Sequence, residues 1–345
     1  MRVIHIDSGR EWRGGQVQLA ALARVVGEGV ILPADAPLGE VLRRDGVRTF
    51  ACPMRGWGAR SDLHAWIRRL QPDLVAAHTS RAHQLALGAG VPVVVHRRVD
   101  FAPGRLSRRK YARAAGYVAV SEAVKGVLER TGVPESRIVV VPDGLCLPSA
   151  VTAVEIDVPR PWVLSVGALV AHKGHRVLLD ALSLVPEVHL ALAGSGPRLA
   201  DLKRQAVRLG VASRVHFLGW RPDVHSCMLA ADAVVHPSVE EGLGQSVLEA
   251  LALGCPVVAT RAGGVAEAVA GAGSLVRPGD PRALAAAIAS VLAESSLWRS
   301  RARDASRRLA ERFSVEAMCR DTRAAYLRWG STSPDRGDNR APLPC

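Results

Sequence analysis

The chain has 345 residues, 48% of them hydrophobic and 22% charged, which excludes a disordered chain and fits two domains of roughly 150 residues better than one core. Its formal net charge of +13 comes almost entirely from arginine and favours an anionic partner: nucleic acid, an acidic membrane surface or a nucleotide-linked substrate; biased genome composition is the alternative. The six cysteines form no C-x-x-C pair, so we expect reduced thiols rather than a zinc site or disulfides. No signal-peptide pattern follows Met1, and no apolar run approaches the ~18 residues of a membrane span, so we expect a cytoplasmic protein.

Short β-branched apolar runs, each followed by a helix-like segment, recur along the whole chain. In the first half they are RVIHID, DLVAAH, PVVVHR, GYVAVS and RIVVVP, and in the second half WVLSVG, VHLALAG, RVHFLG, AVVHPS, PVVAT and GSLVR. Continuous runs of this kind are typical of strands buried on both faces of a parallel sheet. The segments between them carry helical periodicity, as in QVQLAALARVV and ALAAAIASVLAE. This alternation predicts an α/β fold of two tandem Rossmann-like domains that face each other across a cleft.

A segment with four prolines, from Pro142 to Pro161, separates the two halves and shows no convincing helix. We therefore predict a domain boundary between residues 155 and 156. The predicted parts are an N-terminal domain (1–155), a C-terminal domain (156–312), a C-terminal helix that is free to cross back to the first domain (313–329) and a disordered tail (330–345). Because open parallel sheets bind ligands outside the carboxyl ends of their strands, the loops after the strands are the candidate sites.

The first of these loops contains Gly14 and Gly15 just before an apparent helix. Bare backbone N–H groups at a helix N-terminus suit a phosphate or a carboxylate, and a plain tight turn is the alternative. The pattern is not G-x-G-x-x-G, so a dinucleotide oxidoreductase is disfavoured.

The loops of the second half carry a cation and further glycines. Lys173, one of only four lysines, precedes Gly174 where the loop enters a helix. A cation at that place suits a diphosphate, and a solvated lysine is the alternative. The next two strands are followed by the loops G-S-G-P at 194–197 and W-R-P-D at 220–223, which either flank a ligand or form polar turns.

The stretch HPSVEEGLGQSVLEALALGCPVVAT, residues 236–260, has two acidic residues around a glycine-rich turn. Glu241 lies in the loop and Glu249 about two turns into the following helix, and eight helical residues span roughly 12 Å. Carboxylates accept hydrogen bonds from vicinal sugar hydroxyls, and the helix N-terminus between them suits a phosphate. The pair therefore predicts the two ends of a nucleotide sugar; a capping acid plus a surface acid is the alternative.

This acidic block strongly resembles that of the retaining glycosyltransferases of family four, which have the GT-B fold. Other segments agree in order: Gly14-Gly15, the strand ending at His78, AVSEAVK, VPDG, VGALVAHKGH, AGSGP and FLGW. The resemblance covers residues 1–329 and implies transfer of a hexosyl or related glycosyl group from a nucleoside-diphosphate sugar to a hydroxyl acceptor, with retention of configuration. It also implies that the enzyme uses no cofactor. The sequence has no D-x-D motif in a suitable loop, so we expect no metal site.

By the same resemblance, Glu241 contacts the transferred sugar, Glu249 the ribose and Lys173 the diphosphate. His78 is implied at the cleft, with a structural role as the alternative. The implied catalytic residues are Glu241, Lys173 and His78, and the implied donor-binding residues are Gly14, Gly15, Gly167, Lys173, Gly196, Arg221, Glu241, Gly242, Leu243, Gly244 and Glu249. Where the family commonly has an arginine this chain has Ala168, so Arg98, Arg198 or Arg221 is expected to complete the phosphate clamp.

The first domain is expected to bind the acceptor, a glycan or glycolipid. W-R-G-G-Q and H-R-R-V-D-F are similar to the subset that acts on bacterial cell-surface polysaccharide or lipopolysaccharide. The segment from His96 to Gly116 is the densest basic stretch, and its Arg105, Arg108, Arg109 and Arg113 have the spacing of one helical face. With Arg97 and Arg98, these residues predict an acceptor site or an anionic membrane surface at the inner face of the membrane; a solvated face is the alternative.

Two other functions remain open at this point. A nucleotide-sugar epimerase of the same fold would bind the donor but need no acceptor. A basic nucleic-acid-binding protein would explain the charge, but aromatic residues make up only 4% of the chain and no nucleic-acid motif is present, so we expect no nucleic-acid partner.

Overall fold

The computed structural model describes residues 1–104 and 107–330. The chain divides into two compact units, residues 1–146 with the segment from Val315 onward, and Leu147–Ser314. The division at residues 146 and 147 lies nine residues before the boundary predicted from the prolines. The predicted disordered tail, beyond Gly330, lies outside the described residues.

The first unit contains a sheet of seven parallel strands in the order β3-β2-β1-β4-β5-β6-β7. The strands are β1 (Val3–Ile6), β2 (Gly29–Leu32), β3 (Thr49–Ala51), β4 (Leu74–Ala77), β5 (Val93–Arg97), β6 (Gly116–Ala119) and β7 (Ile138–Val140). Five of them were predicted, but β2 and β3 were not. They have only four and three residues and are held by pairing with β1 and with each other rather than by a long apolar run.

The second unit contains six parallel strands in the order β10-β9-β8-β11-β12-β13. The strands are β8 (Trp162–Val166), β9 (His189–Ala193), β10 (Val215–Gly219), β11 (Ala233–His236), β12 (Val257–Thr260) and β13 (Ser274–Val276). All six were predicted, and apolar side chains such as Val163, Leu190 and Val235 pack in the core. The prediction of two parallel α/β sheets is confirmed.

Helices flank both sheets. In the first unit they are α1 (Gly14–Ala23), α2 (Pro37–Arg44), α3 (Ala59–Leu70), α4 (Ser80–Ala86), α5 (Arg108–Tyr111), α6 (Glu122–Arg130) and α14 (Val315–Trp329). In the second unit they are α7 (His175–Leu182), α8 (Leu199–Arg208), α9 (Val224–Ala230), α10 (Gln245–Ala252), α11 (Val265–Val269), α12 (Pro281–Ala293) and α13 (Ser295–Arg312). Among the helices described, none is long and apolar enough to cross a bilayer.

The C-terminal helix α14 packs against the sheet of the first unit. Met318, Cys319 and Tyr326 belong to the same apolar cluster as strand residues of β1 and β4. The hydroxyl of Tyr326 lies 2.5 Å from His96 Nε2 on β5. The last helix of the chain therefore completes the first unit, and its tyrosine contacts a histidine near the carboxyl edge of that sheet.

Candidate active site

Two loops of the second unit meet because the strands that precede them, β8 and β11, pair directly. The loop after β8 carries Lys173 and the loop after β11 carries Glu241. Gly174 permits their close approach: its φ is +69°, and a β-carbon there would overlap the carbonyl oxygen of Pro237. The backbone N–H of Val239 also donates to the carbonyl of His172 at 2.7 Å. The two loops are thus fixed to each other at the carboxyl edge of the sheet, where α/β folds bind ligands.

The carboxylate of Glu241 is the centre of a hydrogen-bonded cluster. Its Oε2 accepts hydrogen bonds from Lys173 Nζ, from His236 Nε2 at 3.0 Å and from Ser238 Oγ at 3.3 Å. Its Oε1 accepts the backbone N–H of Gly242 at 3.2 Å. The side chain of Glu241 is 14% exposed and that of Lys173 is 22% exposed, so the ion pair is largely withdrawn from water.

This cluster keeps Glu241 charged. Burial by itself would raise the pKa of the Glu241 carboxyl, but the charge of Lys173 and the hydrogen bond from His236 outweigh it and hold the pKa well below its usual range. Glu241 is therefore an anion at neutral pH, and a carboxylate can accept hydroxyl hydrogens but cannot donate one.

The helix α10 begins immediately after this loop and carries the second predicted acid. Gly244 precedes its first residue with φ +91°, a left-handed conformation that glycine adopts without strain. Glu249 lies on a partly covered face of α10, where its side chain is 15% exposed. His225 Nε2 on α9 lies 3.6 Å from Glu249 Oε2 and has no hydrogen-bond partner within the described structure.

The other predicted donor residues of the second unit surround these loops. Gly167 lies beside the aliphatic part of the Lys173 side chain: a β-carbon added to Gly167 would be 3.7 Å from Lys173 Cδ. The loop of Gly196 is joined to the loop after β8, because Leu169 N–H donates to the carbonyl of Ser195 at 2.9 Å. Gly242 and the buried Leu243 follow Glu241 directly. The structure therefore brings Gly167, Lys173 and Glu241 together.

Two arginines that were expected to complete the phosphate clamp already pair with acids. Arg221 donates from Nε and Nη2 to Asp223 at 2.7 and 2.6 Å. Arg198 Nε lies 3.4 Å from Asp201. Each guanidinium would have to share its charge with that carboxylate if it also bound a phosphate.

In the first unit, Arg98, His78 and His5 form a continuous hydrogen-bonded chain, and a third histidine stacks on it. Arg98 Nη1 lies 3.2 Å from His78 Nδ1, and His78 Nε2 lies 2.9 Å from His5 Nδ1. His5 Nε2 lies 2.5 Å from the carbonyl of Val26, and the ring of His78 stacks on that of His96 with 4.3 Å between centroids. Because an arginine only donates and a carbonyl only accepts, each hydrogen bond of the chain points from Arg98 toward Val26.

Burial keeps these histidines neutral. It lowers the pKa of His5 to about 4, assisted by the positive charge of Arg98 and opposed by the hydrogen bond to Val26. Burial, the adjacent histidines and Arg98 also hold the pKa values of His78 and His96 well below the usual range. The predicted residue His78 therefore acts as a neutral hydrogen-bonding group.

Arg98 also links this chain to the glycine pair at the start of α1. Its Nε donates to both carboxylate oxygens of Asp143, at 2.8 and 3.1 Å. Its Cδ lies 3.9 Å from the position that a β-carbon on Gly15 would take. Gly14 is the first residue of α1, and its added β-carbon would meet nothing within 4 Å. The structure thus brings together Gly15, His78 and Arg98.

The predicted acceptor or membrane residues are separated by the structure. Arg97 is buried, and its guanidinium donates to the hydroxyl of Tyr111 at 3.0 Å and to the carbonyl of Phe101, so it supports the interior of the unit rather than a surface. Arg108 and Arg109 are exposed, but α5 has only four residues and ends before Arg113. The expected helical face is therefore wrong in extent, and Arg105 lies outside the described residues.

Several polar residues of these clusters were not predicted from the sequence. They are His5, His96, Asp143, His225, His236 and Ser246. His236, at the end of β11, and Ser246, at the start of α10, both lie inside the quoted acidic block, so their place in that block was a usable signal. Within residues 1–104 and 107–330, no three His, Cys, Asp or Glu side chains are placed to hold a metal ion.

Comparison with known proteins identifies two family models along the chain. Residues 13–147 match the family described as Glycosyltransferase Family 4, and residues 160–294 match Glycosyl transferases group 1. The chain is 32% identical over 275 residues to the lipopolysaccharide core biosynthesis glycosyltransferase LpsE of Rhizobium meliloti, covering 77% of this chain and 78% of the relative. It is 28% identical over 265 residues to 2-deoxystreptamine glucosyltransferase of Streptomyces kanamyceticus, covering 71% and 67%.

Solved structures share the fold. The Anabaena protein Alr3699/HepE, crystallised in complex with UDP-glucose, superposes with a TM-score of 0.83 over 95% of this chain and 99% of that protein, at 24% identity. The lipopolysaccharide outer core galactosyltransferase WaaB in its apo form gives a TM-score of 0.71 over 95% and 99%, at 16% identity. These likenesses match the predicted GT-B architecture of two Rossmann-like domains.

Proposed function

Since the chain belongs to glycosyltransferase family 4, among the group 1 glycosyl transferases, we propose that it moves a hexosyl or related glycosyl group from a nucleoside-diphosphate sugar to a hydroxyl acceptor with retention of configuration. The observation that carries this proposal is the ionised Glu241 carboxylate, paired with Lys173 beside the start of α10. A charged acceptor for hydroxyls and a cation for phosphate are adjacent there, as a nucleotide sugar requires.

Each group has a role that follows from its chemistry. Glu241 accepts hydroxyl hydrogens of the transferred sugar, and Lys173 with the backbone N–H groups at the start of α10 binds the diphosphate. Glu249 lies about one turn along α10 rather than the two turns expected from the sequence, and it accepts the ribose hydroxyls. Cleavage of the glycosidic bond leaves negative charge on the diphosphate, so the fixed cation and helix dipole stabilise the transition state more than the ground state.

Retention follows from attack on the face that the diphosphate leaves. The departing diphosphate oxygen takes the proton of the acceptor hydroxyl, so no protein carboxylate needs to form a covalent intermediate. Because Lys173 and the helix terminus stabilise the leaving group, we expect the reaction to need neither a metal ion nor a cofactor. Full activity in EDTA would agree with this expectation, and activity that returns only on adding a divalent ion would contradict it.

The acceptor is proposed to be a glycan or glycolipid of the bacterial surface, bound by the first unit. The relative LpsE, whose name refers to lipopolysaccharide core biosynthesis, supports this class. The exposed Arg108 and Arg109 are proposed to contact the anionic part of such an acceptor or the membrane that contains it. Co-sedimentation with neutral and anionic vesicles tests the membrane part: equal binding to both would remove it.

A two-stage assay tests the donor and the reaction. Thermal unfolding with UDP, GDP, ADP and CDP and their common sugars should identify one nucleoside diphosphate that raises the melting temperature, because a ligand of the native state stabilises it. Transfer from the matching nucleotide sugar to lipopolysaccharide core fragments is then followed by proton NMR. A product with the anomeric configuration of the donor is expected, whereas an inverted product contradicts retention, and free epimerised sugar without acceptor would favour an epimerase.

A further inference from the structure

His236 is a buried member of the Glu241 cluster. It is the last residue of β11, and its side chain is 3% exposed. Its backbone carbonyl accepts the hydroxyl of Thr260 on the neighbouring strand β12 at 3.3 Å. The imidazole is therefore placed by the sheet itself, whereas Lys173 and Glu241 are placed by loops.

The chemistry of its partner Glu241 fixes a hydrogen on Nε2 of His236. Glu241 is ionised and only accepts, so Nε2 carries the hydrogen that it receives. Ser246 Oγ lies 3.1 Å from Nδ1, at the start of α10, and its hydroxyl can hydrogen-bond to that nitrogen whether or not the nitrogen carries a hydrogen. Ser246, His236 and Glu241 thus form a hydrogen-bonded row.

In the proposed function, Lys173 interacts with two anionic groups. It is paired with Glu241, and it is also the cation proposed to bind the diphosphate. When its ammonium turns toward phosphate oxygens, the Glu241 carboxylate loses part of the charge that keeps it ionised and in place. Of the side chains that donate to it, His236 at 3.0 Å and Ser238 at 3.3 Å remain.

We propose that His236 is a positioning residue for Glu241, which it holds ionised and aimed at the transferred sugar while Lys173 binds the diphosphate, and that Ser246 fixes the imidazole for this purpose. The proposal rests on the proposed function, since it assigns a task only to an enzyme that binds both sugar and diphosphate. The charged and titratable groups beside His236 are Glu241, Lys173 and His175. Burial, followed by the electrostatic effects of His236 and Lys173, lowers the pKa of His175 to about 4, so His175 is neutral and adds no competing charge.

The test measures, for the wild type and each variant, how much more tightly a nucleotide sugar binds than the nucleoside diphosphate alone. Calorimetric titrations with UDP and UDP-glucose, GDP and GDP-mannose, and ADP and ADP-glucose give the ratio of the two dissociation constants for each pair. The variants are His236→Leu, which removes both nitrogens, His236→Gln, whose amide restores a donor near Nε2, and Glu241→Gln. His189→Leu is the matched control, because His189 is a half-buried histidine of the same sheet that pairs with His216 instead.

We expect His236→Leu to lower the affinity ratio about tenfold, as Glu241→Gln does, since a hydrogen bond to a charged group of this kind corresponds to roughly that factor. His236→Gln should stay within about threefold of the wild type, and His189→Leu should equal it. The affinity for the nucleoside diphosphate alone should change by less than about threefold in both His236 variants, because the diphosphate is bound by other groups. An unchanged ratio in His236→Leu, an equal loss in His236→Gln, or a loss confined to the nucleoside diphosphate would each overturn the positioning role.

A second measurement separates this proposal from the proposed function. If no pair binds the wild type, the donor assignment fails, but urea unfolding of Glu241→Gln, His236→Leu and the double variant still tests the contact. Coupling of about tenfold or more in the unfolding equilibrium constant supports the positioning of Glu241 by His236, and strict additivity contradicts it.

Discussion

Each unit has a polar cluster at the carboxyl edge of its parallel sheet, but the titratable groups differ in charge: the histidines of the first cluster are neutral, and the glutamate of the second is ionised. In the first unit, His5, His78 and His96 lie on or after the adjacent strands β1, β4 and β5, and burial keeps them neutral. In the second unit, Glu241 is similarly withdrawn from water but stays ionised because Lys173 and His236 contact it. Position in the fold brings titratable groups together, and the partner of each group decides whether it is charged.

This difference suits different tasks. A neutral histidine chain can donate and accept hydrogen bonds without attracting ions, which fits recognition of uncharged hydroxyls. A carboxylate and an ammonium in contact can exchange partners with a ligand that brings both hydroxyls and phosphates. The comparison therefore predicts that charge-removing variants disturb the second cluster most, and that acid disturbs the first.

The largest effect is expected at Glu241. Glu241→Gln should lower the transfer rate by about a thousandfold, because the anionic acceptor for the sugar is lost, an effect of the order seen when a preorganised electrostatic partner is removed. Binding of the nucleoside diphosphate alone should become about threefold to tenfold tighter, since Lys173 no longer shares its charge with a carboxylate. Steady-state transfer and calorimetry measure the two quantities.

The exposed neighbour Glu240 supplies the control for that variant. Glu240→Gln makes the same chemical change one residue away and should leave transfer and binding as in the wild type. Normal turnover by Glu241→Gln would show that the ionised cluster of the second unit has no part in the reaction.

Acid should destabilise the first unit through its histidines. The folded-state pKa of His5, about 4, lies below the unfolded value of 6.5, so the unfolded chain binds the proton first. The stability that neutral His5 contributes to the folded state is fully present above pH 6.5 and is lost as the pH falls toward 4. For His5 alone this loss amounts to about 3 kcal/mol of unfolding free energy. Urea unfolding at pH 7 and pH 4.5 should show a shallower decline for His5→Gln than for the wild type.

The exposed His172 provides the matched substitution for this experiment. His172→Gln removes an exposed imidazole instead of a buried one and should keep the wild-type dependence on pH. If His5→Gln and the wild type lose stability in parallel, burial does not keep that histidine neutral and the contrast between the units fails.

A smaller effect is expected at Glu249. Glu249→Gln should weaken nucleotide binding about tenfold to thirtyfold, because an amide accepts the ribose hydroxyls less strongly than a carboxylate. The ratio between nucleotide-sugar and nucleotide affinity should stay unchanged, which distinguishes Glu249 from Glu241. Calorimetry with ribose and 2′-deoxyribose nucleoside diphosphates sharpens the test, since a variant that still discriminates between them would argue against ribose binding by Glu249.

The smallest effect concerns the loop that carries Lys173. Gly174 and Gly210 both have φ of +69°, but only at Gly174 would a β-carbon overlap another group, the carbonyl of Pro237. Gly210→Ala should cost about 1 kcal/mol of unfolding free energy from the backbone conformation alone. Gly174→Ala should cost at least about 1 kcal/mol more and weaken diphosphate binding, since the Lys173 loop must move. Equal costs would show that the close approach of the loops is not required.

The sequence predicted the sheets well where strands are long apolar runs, as in all six strands of the second unit. It did not predict β2, whose four residues depend on pairing with β1, or α13, an arginine-rich helix in which only Ala302, Ala305 and Leu309 are buried. Short or narrowly amphipathic elements are decided by tertiary packing rather than by local pattern.

At the candidate site, the sequence indicated Lys173 and Glu241 because both follow predicted strands and because Glu241 lies in an acidic block that resembles that of a known family. It did not identify the partners that set their charge. His5 and His78 are 73 residues apart, and His96 and Tyr326 are 230 apart, so their contacts depend on strand order and on the return of α14 to the first unit. His236 was visible in the quoted block, but its task follows only from its position between Ser246 and Glu241.

On binding a nucleotide sugar, the Lys173–Glu241 pair is expected to separate, so that Lys173 binds the diphosphate and Glu241 binds the sugar. A crystal structure of the full chain with the nucleotide sugar identified by thermal unfolding measures this directly. We predict Lys173 Nζ within hydrogen-bond distance of a diphosphate oxygen, a sugar hydroxyl on Glu241, and His236 still bonded to that carboxylate. A bound nucleotide sugar with no sugar atom within hydrogen-bond distance of Glu241, or with the diphosphate away from Lys173, would show that the pair does not bind the two parts of the donor.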